Sequence, residues 1–97
     1  MKQIPLKTVE AMIGEKPIRI SYKAQIAELI RTPSGDKGAD YDEVRRSIHI
    51  LDILDETTGD TLSLEDADFE YMKGRILSAR WPMIDKAIMT FIEDVTA

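Results

Sequence analysis

Cysteine is absent from the 97-residue chain, and histidine occurs once, as His49. The first absence excludes disulfides, thiolate nucleophiles and cysteine-ligated zinc or iron–sulfur centres. The second excludes any two-histidine metal site or catalytic pair within one chain. Glycine and proline are sparse, at five and four, too few for a fibrous or low-complexity protein. No apolar run approaches the ~18 residues that a bilayer-spanning helix needs, and no charged-then-apolar leader opens the chain. Neither membrane insertion nor classical secretion is expected, which points to the cytoplasm.

What is present fits one small globular domain over residues 1–97. Apolar residues make up 43% and charged residues 32%, enough to build one core and too little chain for two. The net charge of −5 argues against direct nucleic-acid binding. Its distribution is uneven: residues 1–37 carry a net +3 and residues 38–97 a net −8. From Ser47 to Met72 there are eight carboxylates and no lysine or arginine. Glu65, Asp66 and Asp68 suit the first turn of a helix, where the helix dipole favours negative charge. Asp52, Asp55 and Glu56 fall near a helix C-terminus, where the same dipole disfavours them, and local structure gives no reason for them. A solvated acidic face is the plain explanation of such a run.

Met1 to Lys7 alternates as a short strand or extended arm, weakened by Pro5. Thr8 to Glu15 suits one or two helical turns or a connection ended by Gly14. Ile18, Ile20 and Tyr22 alternate with period two and would share one face of a strand. Ala24 to Arg31 has helical spacing and is stopped by Pro33. Residues 32–40 hold two glycines and a proline without a large apolar side chain, the composition of a mobile loop. Lys37 is followed by Gly38 rather than Ser or Thr, so the loop is no phosphate cradle.

Asp40 with Glu43 resembles a capping box, which starts a helix over 41–55. Tyr41, Val44, Ile48 and Leu51 form one stripe on it, and Ile50, Ile53 and Leu54 widen that stripe beyond the ~100° of an ordinary surface helix. Such a helix is central to the domain or shared with another chain. Thr57 to Asp60 is a turn by composition. Ser63 with Asp66 suggests the cap of a helix over 64–80 that buries Phe69, Met72, Ile76 and Ala79. Pro82 suits the first position of a last helix, in which Ile84, Ala87, Ile88, Phe91, Ile92 and Val95 repeat at helical spacing. The expected fold is mainly α, with α+β as the variant: three to four helices and a short N-terminal strand or β-hairpin.

The reactive inventory is thin. His49 lies on a polar arc with no nucleophile arranged to need a base, and reads as an exposed helix residue. Asp55, Glu56, Asp60, Glu65 and Asp66 could ligate a hard cation, but counting back from Gly59 puts Leu54 where a calcium loop needs its first acid. Turn and cap duty explains them. No catalytic residue, metal ligand, cofactor or small-molecule substrate is therefore expected, and no enzyme. Arg80 and Trp81 have the residue types of an interaction hot spot, although a tryptophan packed over a helix junction is the commoner outcome. Met72, Met83 and Met89 read as core filler.

The segments Leu64-Glu65-Asp66-Ala67-Asp68-Phe69-Glu70-Tyr71-Met72, Arg80-Trp81-Pro82 and Phe91-Ile92-Glu93-Asp94-Val95 resemble those of small accessory proteins of tailed bacteriophages and prophages. The resemblance covers the C-terminal third and transfers no functional residue. It implies a role in virion or tail assembly, or in binding a host protein, within the bacterial cytoplasm. Together with the broad apolar helix, it points to a non-enzymatic protein–protein interaction protein that self-associates or binds a larger partner. Ile50, Ile53, Arg80 and Trp81 are the candidate contacts. The alternative is an acidic mimic of nucleic acid in which Asp52, Asp55 and Glu56 enter the basic groove of a DNA- or RNA-handling protein.

Overall fold

The computed structural model describes the chain apart from Gly14, Ser34, Asp36, Pro82, Met83 and the side chain of Ile13. The elements run β1 (Lys2–Pro5), β2 (Thr8–Ile13), β3 (Lys16–Ser21), α1 (Tyr22–Arg31), α2 (Tyr41–Glu56), β4 (Thr61–Leu64), α3 (Asp66–Ser78) and α4 (Lys86–Thr96). Among the described residues, four helices and two antiparallel two-stranded sheets make an α+β fold. One sheet is the β2–β3 hairpin, with Val9 opposite Ile20. The other joins distant parts of the chain: β1 pairs with β4, placing Lys2 opposite Leu64 and Ile4 opposite Leu62.

Several boundaries differ from the sequence expectation, each for a local reason. Thr8–Ile13 is a strand rather than helical turns, because it pairs along its length with β3. Tyr22 does not continue the alternation of Ile18 and Ile20. Ser21 accepts a hydrogen bond from the Ala24 amide and caps α1, so Tyr22 opens the helix instead. Ser63 is not the cap of α3; it sits in β4 and donates to Gln3 Oε1 at 2.9 Å across the sheet. Leu62 and Leu64 on either side of it are fully buried, the period-two signature of a strand facing the core. Asp85, not a proline, caps α4 by accepting from the Ala87 amide at 2.8 Å. The expected helix start at Pro82, the expected stop at Gly14 and the packing of Met83 lie outside the described residues. Asp40 caps α2 as expected, accepting from the Glu43 amide at 2.8 Å.

The core gathers one face from each element: Ile4, Leu62 and Leu64 from the β1–β4 sheet, Tyr22, Ile26 and Ile30 from α1, Ile50 and Leu54 from α2, Phe69, Met72 and Ile76 from α3, and Phe91 and Val95 from α4. Burying large side chains of this kind contributes roughly 1.5–3 kcal/mol each before chain entropy is counted. Aromatic contacts fix α4: Phe91 meets Tyr22 edge-on at 5.0 Å and Trp81 at 6.0 Å. Ile84, by contrast, precedes the helix and is fully exposed, and Met89 on α4 is exposed, so α4 buries a narrower stripe than the spacing suggests.

Two polar clusters tie the elements together. At the first, the Tyr22 hydroxyl donates to Asp94 Oδ2 at 2.7 Å, and Lys7 reaches the same oxygen at 3.0 Å. Burial, reinforced by the hydrogen bond to Asp94, pushes the Tyr22 hydroxyl well above its ordinary pKa. The hydrogen bond from Tyr22, with help from Lys7, holds Asp94 below the usual carboxylate range. At the second, the buried Arg75 of α3 donates to the carbonyls of Leu29 at 3.1 Å, Ile30 at 3.4 Å and Thr32, which close the C-terminal end of α1. Its other nitrogen donates to Tyr71 Oη at 3.1 Å and pairs with Glu43 of α2 at 3.5 Å. Tyr71 in turn lies 2.9 Å from the hydroxyl of buried Ser47. Among the described residues, no buried side-chain nitrogen or oxygen lacks a partner.

Removing one member of a buried ion pair strands the other. Arg75→Met is therefore expected to lower unfolding free energy by about 3 kcal/mol or more in urea denaturation, with Arg75→Lys recovering little because an ammonium cannot fork to the same acceptors. A loss under about 1 kcal/mol would show the cluster to be incidental. Because the folded pKa of Asp94 is depressed, its contribution is present above the unfolded carboxylate value near pH ~4 and is lost as pH falls through the folded value. Asp94→Asn should thus be less stable than the parent near neutrality, with the two stability curves converging in acid. Curves that stay parallel throughout would contradict this.

Candidate functional site

Helix α2 is apolar on two faces, and the structure buries only one. Ser47, Ile50 and Leu54 point into the core, while Glu43 reaches Arg75 on the same side. The stripe of Tyr41, Val44 and Ile48 faces outward: Tyr41 is 80% exposed, Val44 47% and Ile48 51%. Leu51 at the end of that stripe is half-buried. The spacing 41, 44, 48, 51 is the three-four-three repeat of a helix seam made to meet another helix. Beside it, Ile30, Pro33, Ala39, Val44, Ile48 and Leu51 line a shallow groove of about 150 Å³.

The polar residues flanking this face are unevenly divided along α2. In its first half, Asp42 accepts from Arg45 at 2.9 Å and from Arg46 at 3.1 Å, and the Arg45 hydrogen bond holds the Asp42 carboxyl below its ordinary range. The last turn contains no basic residue. Asp52, Asp55 and Glu56 all stand exposed there, against the negative end of the helix dipole.

The sequence-derived contact set separates in the structure. Ile50 is 0% exposed and belongs to this chain's own core, which corrects its assignment as a contact for another chain. Ile53 is half-buried against that core. Arg80 lines a cleft of about 420 Å³ with Glu28, Thr32 and Arg75. Trp81 turns the other way, half-buried on Phe91, at the edge of an apolar pocket of about 150 Å³ floored by Ala11, Ile18 and Ile20. Arg80 and Trp81 thus do not line a common pocket. His49 is exposed on α2, 3.2 Å from Asp68 of α3. Among the described residues, no three His, Asp or Glu side chains converge as a metal site would require, and no helix is long and apolar enough to cross a membrane.

The sequence shows the stripe of α2 and leaves the helix central to the domain or shared with another chain, with Ile50 and Ile53 as its candidate contacts. The signal this reading passes over is polar: Glu43 and Ser47 share a face with Ile50 and Leu54, and a long-range arginine and tyrosine satisfy them. The chain matches no protein-family model, no curated protein and no solved structure.

The two faces of α2 should respond oppositely to charge. Ile50→Glu buries a carboxylate among hydrocarbon and is expected to abolish cooperative unfolding. Ile48→Glu should leave the unfolding free energy within about 0.5 kcal/mol, as surface substitutions do. Equal destabilisation by both would contradict the assignment of the outer face.

Proposed function

We propose that this chain is a non-enzymatic protein–protein interaction module that associates with a second copy of itself through the outer face of α2. The exposed stripe of Tyr41, Val44 and Ile48 carries this reading. Large apolar side chains grouped at seam spacing on a short, otherwise charged helix lower their free energy by leaving water. Within the described residues, α1 borders one edge of the stripe, through Ile30 and the groove at Pro33, and leaves the rest open.

The resemblance of the C-terminal third to tailed-phage accessory proteins supports a concrete setting for such a module, an assembly or accessory role. That setting rests on the sequence alone. A small protein with one self-complementary helix face suits work in which many copies meet.

The expected behaviour is a monomer–dimer equilibrium with a dissociation constant on the order of 10 μM, since a few half-exposed side chains must offset the cost of association. Val44→Glu with Ile48→Glu is expected to yield a folded monomer, judged by sedimentation velocity for mass and by circular dichroism for helix content. A parent protein that stays monomeric at every concentration up to the millimolar range would overturn the reading.

A further inference from the structure

We propose that the second copy lies antiparallel on α2, related by a two-fold axis near Ile48, so that Arg45 of each copy opposes Asp52 of the other. This deepens the self-association proposed above and rests on it. Arg45 and Asp52 are one heptad apart and therefore flank the same edge of the stripe. Both are exposed. Arg45 spends part of its guanidinium on Asp42 and, with five donors, keeps others for a partner. Asp52 makes no hydrogen bond or ion pair with the described residues.

Orientation decides the electrostatics. In a parallel pair, the edge carrying Arg45 and Asp52 meets the opposite edge of the second helix. Asp52 would then find no base there, and the two helix dipoles would lie side by side unfavourably. In an antiparallel pair, like edges meet with their order reversed, so Arg45 opposes Asp52 and the contact is made twice by symmetry. Asp55 and Glu56 gain nothing from either orientation, because the N-terminal end of α2 already holds Asp40, Asp42 and Glu43. The apolar stripe supplies the attraction, and the paired Arg45–Asp52 contacts orient it.

Charge exchange tests the geometry with exposed residues that the fold does not need. Arg45→Asp alone sets two carboxylates against each other at each of the paired contacts, and Asp52→Arg alone sets two guanidinium groups against each other. Each single variant is expected to dimerise about tenfold more weakly than the parent at low salt, as two symmetry-related repulsions should require. An equimolar mixture of the two single variants is expected to favour the heterodimer over either homodimer, because both of its contacts then join a carboxylate to a guanidinium. The double variant, Arg45→Asp with Asp52→Arg, likewise restores both opposite-charge contacts and is expected to recover parental affinity. Sedimentation reads all of these affinities. If the swaps leave dimer affinity unchanged while the Val44 and Ile48 glutamates abolish it, self-association stands and the antiparallel pairing is overturned. If the single variants weaken the dimer and the double variant fails to restore it, the Arg45–Asp52 contact is overturned. If the parent is monomeric throughout, both proposals fail.

Discussion

A guanidinium taken out of water must find acceptors inside the protein, and Arg75 finds them on three helices. It closes the C-terminal carbonyls of α1, pairs with Glu43 on α2 and rests against Tyr71 of its own helix. Buried charge is costly unless its donors are satisfied, so this single side chain prescribes where α1 ends and how α2 is rotated. Turning α2 about its axis to bring Val44 and Ile48 inward would take Glu43 from Arg75 and Ser47 from Tyr71. Hydrocarbon burial alone scarcely distinguishes the two rotations, because either would hide aliphatic side chains. The polar cluster makes the choice.

From that choice follows the character of the surface. The face of α2 left outside is richer in large apolar groups than a solvent-facing helix ordinarily is, and its carboxylates crowd the end where a helix tolerates them least. Lys23 of α1 answers the second in part, donating to the Thr57 carbonyl at 2.8 Å. On the proposed reading the first is answered by a second copy, with hydrocarbon supplying affinity and charge supplying direction. The cleft by Arg80 mixes polar and apolar lining, whereas the pocket at Trp81 is apolar and bordered by Phe91.

Much of the fold was legible from local pattern. The apolar spacing of Phe69, Met72 and Ile76 placed α3, that of Phe91 and Val95 placed α4, and Asp40 marked the start of α2. What escaped was decided at long range. Leu62-Ser63-Leu64 is too short to declare itself a strand, and becomes one because β1 lies beside it. Thr8–Ile13 has no clear period of its own and takes its form from β3. Which face of α2 turns inward, and with it the burial of Ile50, escaped for the same reason: Glu43 and Ser47 look solvent-bound until Arg75 and Tyr71, far along the chain, are set against them. The candidate surface was therefore visible as a stripe before its exposure was known.

The pairing of β1 with β4 has a consequence for how the chain comes into being. Ile4 can be sheltered only after Leu62 and Leu64 have been made, whereas the β2–β3 hairpin and α1 need only their immediate neighbours. During vectorial synthesis the residues of β1 are thus among the last to settle, since their partner strand has yet to leave the ribosome. Closing so wide a loop is entropically demanding. The strand acts as the clasp of the molecule, joining its first residues to a segment made much later in the chain.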